Sequence, residues 1–136
     1  AYHQIEKTPD GNYSVQYEDH GWKGYFDLYP EFHQTPGTPV YVYSAIFSPS
    51  KLNLTIHHEW QYYDEITKKW RTESVINLPV IGGRDGGFRT YSMRTNLKAG
   101  KWRVNIENAS GQVIGHERFR IVKSETTPPL STETKY

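Results

Sequence analysis

Residues 52–63 read LNLTIHHEWQYY. Leu52, Leu54, Ile56, His58, Trp60 and Tyr62 share one parity, and Asn53, Thr55, His57, Glu59, Gln61 and Tyr63 share the other. A period of two over that length predicts a long, half-buried strand, because successive strand side chains leave opposite faces. The run Asp64-Glu65-Ile66-Thr67-Lys68-Lys69 then makes a turn, and Trp70 to Leu78 returns, which predicts a hairpin.

The rest of the chain is punctuated in the same way. Upstream, Val40 to Phe47 is β-branched and aromatic and follows the turn-forming Thr35-Pro36-Gly37-Thr38-Pro39. Downstream, Gly82-Gly83-Arg84-Asp85-Gly86-Gly87 reads as a loop and Phe88 to Arg94 as a strand. Lys101 to Glu107 follows, with Trp102, Val104 and Ile106 on one face, and after Asn108-Ala109-Ser110-Gly111 the segment Gln112 to Val122 closes the pattern. Tyr2 to Lys7 and Tyr13 to Glu18 read as two further strands, whereas His20 to Phe32 reads as an aromatic loop. About seven strands with no helical periodicity predict an all-β, two-sheet sandwich of immunoglobulin or fibronectin type. Residues 1–122 form the expected domain, with 1–38 its less regular part. Leu54, Ile56, Trp60, Trp102, Val104, Ile106 and Phe119 are its expected inter-sheet core. Residues 123–136 read KSETTPPLSTETKY, with Leu130 the sole aliphatic side chain, and are expected to be a disordered tail or a remnant of cloning.

Composition narrows the chemistry. The absence of cysteine removes disulfides, thiolate metal ligands and cysteine nucleophiles. A net charge of +1 supplies no field to draw a polyanion, which argues against a nucleic-acid partner. No apolar run approaches the roughly 20 residues that span a bilayer, and Ala1-Tyr2-His3-Gln4 does not resemble a signal peptide. No metal site or cofactor is expected. His57-His58-Glu59 suggests metal or acid–base chemistry, but strand parity separates His58 from the other two. His58 is therefore expected to be a hydrogen-bonded core residue near Trp60, with His57 and Glu59 on a solvated face. No serine nucleophile motif is present, and a glycosidase pair of carboxylates needs a separation that sequence does not show. No catalytic residue is assigned.

Two segments qualify for binding. The glycine-rich loop could bring backbone close to a ligand, with Arg84, Asp85 and Arg89 as its polar anchors; the alternative is a plain strand connection. Trp22 and Tyr25 lead an aromatic segment that either meets a partner or folds over an end of the sandwich. Arg84, Arg89, Arg94 and Arg103 could form an anion-binding line, but are expected to pair with Glu59, Glu73 or Glu107 on a solvated face.

Several motifs occur in a distinctive order: His58-x-Trp60, Tyr63-Asp64, Gly82 to Arg89, Tyr91-Ser92, Gly100-Lys101-Trp102-Arg103-Val104, Gly111 to Gly115, and Phe119. This order resembles the bacterial domain-of-unknown-function family 2914. The resemblance implies a membrane-attached, extracytoplasmic domain that follows a multi-pass membrane region in some members, with Tyr2-His3 near the junction. It implies no activity and supplies no site residues. The expectation is a non-catalytic module in the bacterial cell envelope, on its periplasmic side. Its partner would be a protein, an envelope component or its own membrane region. The alternatives are an enzyme or a carbohydrate- or anion-binding domain using the glycine-rich loop, and a structural spacer.

Overall fold

The computed structural model describes residues 1–21, 28–47, 54–80 and 87–135, and the elements that lie wholly within them are β-strands. In chain order these are Gln4–Lys7 (β1), Tyr13–Tyr17 (β2), Glu31–Gln34 (β3), Val40–Phe47 (β4) and Leu54–Asp64 (β5). Lys69–Val80 (β6), Gly87–Arg94 (β7), Gly100–Glu107 (β8), Val113–Lys123 (β9) and Ser131–Lys135 (β10) follow. Backbone hydrogen bonds order them as β3-β9-β8-β5-β6, β1-β2-β10 and β4-β7. The chain divides into two compact units.

The first unit comprises Ala1–Tyr41, Met93–Lys101 and Arg118–Tyr136. In it β2 is the centre of an antiparallel sheet, with Val15 opposite Ile5 on β1 and Glu133 on β10. Strand β3 runs parallel to the end of β9, with Phe32 opposite Ile121. Val15, Phe32, Val40, Leu97, Phe119 and Ile121 are all buried. Glu18, just after β2, accepts hydrogen bonds from the backbone N–H of His33 at 2.6 Å and from the rings of His3 at 2.8 Å and His33 at 2.5 Å. The ring of His3 in turn stacks on Phe32 at 3.9 Å. Burial raises the Glu18 carboxyl, but these donors outweigh it and hold the group down at about 2.

Two expectations are corrected here. Residues 131–135 are not disordered: they form β10, an edge strand on β2. A strand needs no apolar side chain when its partner supplies a complete row of backbone donors and acceptors. In the N-terminal part β1 and β2 fall within the two expected strands, but a third, β3, takes Glu31 and Phe32 from the expected aromatic loop. The described residues thus hold ten strands where about seven were expected.

The second unit comprises Val42–Ser92 and Trp102–Glu117. Strand β5 pairs antiparallel with β6 on one side and β8 on the other. The β5–β6 turn is shaped by the Asp64 carboxylate, which accepts from the N–H groups of Ile66 at 2.9 Å and Thr67 at 3.2 Å, while Lys68 takes a left-handed φ of 56°. Ile56, His58, Trp60, Trp102 and Val104 are buried, as parity predicts, and Ile46 and Ile106 pack against Ile56. Phe119, expected in the same core, is buried in the first unit, and the Leu54 side chain lies outside the described residues.

The β4–β7 pair faces β5 across this core. Trp60 Nε1 donates to Ser92 Oγ at 3.1 Å; His58 Nδ1 lies 2.6 Å from the same oxygen, and His58 Nε2 lies 3.0 Å from Ser44 Oγ. Ser44 is on β4 and Ser92 on β7, so these contacts bridge two layers, the expected sandwich arrangement. Either ring tautomer satisfies both imidazole nitrogens, since each serine can donate or accept.

Candidate interaction face

The residues of β5 that point away from the core are His57, Glu59, Gln61 and Tyr63. On β8 the outward set is Arg103, Asn105 and Glu107, opposite Gln61, Glu59 and His57 respectively. On β6 the partners of these β5 residues are Trp70, Thr72, Val75 and Asn77. The register shifts here: Trp60 faces Ser74 but Gln61 faces Thr72, which leaves Glu73 as the extra residue of a bulge. With Glu73 held in a regular ladder the alternation of β6 would run unbroken, and Trp70 and Val75 would fall on opposite faces.

The resulting surface is knitted together. Arg103 Nε donates to Gln61 Oε1 at 2.5 Å, and its guanidinium lies 4.4 Å from the centre of the Trp70 ring. Tyr63 meets Trp70 edge-on at 5.1 Å. Asn105 Nδ2 donates to Gln61 Oε1 at 3.1 Å and to Glu59 Oε1 at 3.3 Å, and Gln61 Nε2 donates to Thr72 Oγ1 at 3.3 Å. The ring of His57 bonds the Asn77 side chain.

Charge on this face is left uncompensated. The expected pairing of Arg103 with Glu59, Glu73 or Glu107 does not form; its two terminal amino groups make no hydrogen bond to any described residue. Partial burial and the neighbouring charge of Glu59 push the Glu107 carboxyl up, with His57 acting against them. The face therefore has a guanidinium held flat on an aromatic ring at one end, the Glu107 carboxyl at the other and Glu59 midway, opposite Asn105. Arg103 and Glu107 are four positions apart on β8, roughly 13 Å.

Arg84, Asp85, Trp22 and Tyr25 lie outside the described residues. Arg89 is on β7 and half-buried. Gln61, Asn105 and Arg103 carry the outward parity in the sequence, but parity marks a face without saying that its side chains interlock, and it assigns Trp70 no face. Among the described residues no group of three or more His, Cys, Asp or Glu side chains is placed to hold a metal ion.

The second unit also contains a cavity of about 600 Å³ lined by Ile46, Ile56, Ile106 and Ile114, with Ser44 in its wall. The Ser44–His58–Ser92 arrangement has the spacing of a nucleophile, base and orienting group. Its chemistry does not follow the spacing. His58 is fully buried, and burial lowers its ring to about 4, far below what a general base near neutrality needs. The network ties the two layers together.

The family described as "Protein of unknown function (DUF2914)" matches residues 53–121, which contain every residue of the face. No curated protein gives a significant match. Among solved structures, the NK cell receptor Nkp44, described as a triggering partner in natural cytotoxicity, is similar over 72% of this chain and 100% of its own, with 16% identity and a TM-score of 0.49. Likeness of that degree says nothing about a shared ligand. The family's match extends over just over half of the sequence, and the chain belongs to the DUF2914 family of proteins of unknown function.

Proposed function

We propose that the domain is a non-catalytic interaction module on the extracytoplasmic side of a bacterial membrane-attached protein, with its recognition surface on the outer face of β6, β5 and β8. The observation that carries this reading is Arg103. A guanidinium stacked on Trp70 and fixed through Nε by Gln61 loses side-chain freedom in advance, while its forked end stays open to a bidentate acceptor. Membrane attachment rests on the resemblance to members that follow a multi-pass region. It is consistent with a firm hold on the first residues: Tyr2 and Tyr41 exchange backbone hydrogen bonds of 2.8 and 2.9 Å, and His3 is bonded to Glu18.

The test is a photo-cross-linking residue placed at Val75, which is exposed on the face, with a control at Ile66, which is exposed on the turn. In cells, adducts are expected from position 75 and not from position 66, and Arg103→Glu is expected to abolish them. Adducts from both positions alike, or insensitivity to Arg103→Glu, would remove the face as the recognition surface.

A further inference from the structure

We infer that the occupant of this face is a second copy of the chain, related by a two-fold axis. The inference rests on the proposed role of the face as a recognition surface and assigns its partner. It follows from the way charge is distributed. Among the described residues Arg103 has no acidic partner, and Glu59 and Glu107 form no ion pair. Gln61 lies opposite Arg103 and Asn105 opposite Glu59, and the two amides bond to one another across the diagonal between the opposite charges. The two ends lie along the same strand pair, with Arg103 opposite Gln61 and Glu107 opposite His57. A two-fold axis crossing the strands between these ends turns one copy end for end. The guanidinium of each protomer then comes over the Glu107 carboxyl of the other, the self-complementary pattern of an isologous interface. Val75, 53% exposed and opposite Glu59 in register, adds an apolar contact beside the charged groups.

The pattern makes an unusual demand on mutants. Arg103→Glu makes the charged ends of one copy acidic, and Glu59→Arg with Glu107→Arg makes them basic. Each variant repels itself, yet the two attract each other at both contacts. Sedimentation of the full chain over a range of concentrations should show a dimer. Either variant alone should weaken it by roughly tenfold or more, the scale of one lost charge-assisted contact. An equimolar mixture should restore a heterodimer. Val75→Asp, which alters an exposed position, should also weaken the dimer while thermal melts remain cooperative. A wild type that stays monomeric, or a mixture that stays dissociated although both variants melt cooperatively, overturns the inference. The cross-link at position 75 separates the two levels. An adduct of twice the chain mass identifies the second copy. An adduct of another mass, lost in Arg103→Glu, keeps the recognition surface and removes the second copy from it.

Discussion

Trp102 retains 1% of its surface, and its ring lies 5.1 Å from that of Tyr62 on the neighbouring strand. Truncation to alanine leaves a cavity that strands pinned by two ladders cannot close, so Trp102→Ala is expected to cost about 3–5 kcal/mol in denaturant melts. A cost below about 1 kcal/mol would place the indole outside the core. At this scale parity served well. It placed Ile56, Trp60, Trp102 and Val104 inside and set His58 apart from His57 and Glu59. The partners of His58 were not legible. Ser44 and Ser92 lie on strands far away in sequence, and nothing in their own neighbourhoods marks them as buried hydroxyls that complete an imidazole. Arg103 was read as one of a row of guanidiniums facing acids. Its stacking on Trp70 follows from the pairing of Tyr63 with Trp70 and of Gln61 with Arg103, cross-strand registers that a two-residue repeat does not reveal.

Among the elements, the long strands were the legible ones. Val40–Phe47 was found with both its ends, and β5 to β9 within a few residues, because each combines β-branched and aromatic side chains with a clear turn signal. Strands β3 and β10 escaped for a common physical reason. Four residues of β3 and the polar STETK of β10 carry too little apolar periodicity to register, and both are strands through the backbone groups their neighbours offer. Ending the chain at Leu130 should therefore lower the melting temperature by several degrees, since it strips one edge of β2 of its antiparallel partner. An unchanged melting temperature would mean that β10 adds nothing to stability.

At the scale of the whole molecule, each unit contains a strongly shifted titrating group that couples stability to acidity. The His58 ring is held at about 4 against an ordinary 6.5, so below pH 6.5 the unfolded chain takes up a proton that the folded chain refuses. Stability should fall as pH drops from 6.5 to 4. Glu18, held at about 2 against 4.5, is proton-free in the fold while the unfolded chain titrates, so its contribution is complete above pH 4.5 and fades toward pH 2. Urea melts should therefore weaken in two successive stages on acidification, with His58→Gln removing the upper stage alone. An undiminished slope between pH 6.5 and 4.5 in that variant would assign the effect elsewhere. The joining of β2 to β10, Tyr17 beside Ser131, also sets a timetable for synthesis. The first unit draws on both ends of the chain, whereas the segments of the second lie between them. A nascent chain can lay down the β5–β6 hairpin and add β8 while β2 still waits for an edge that emerges after them. Until then the early strands expose open hydrogen-bonding edges, so slow or interrupted translation leaves this protein most exposed to wrong pairing at its beginning.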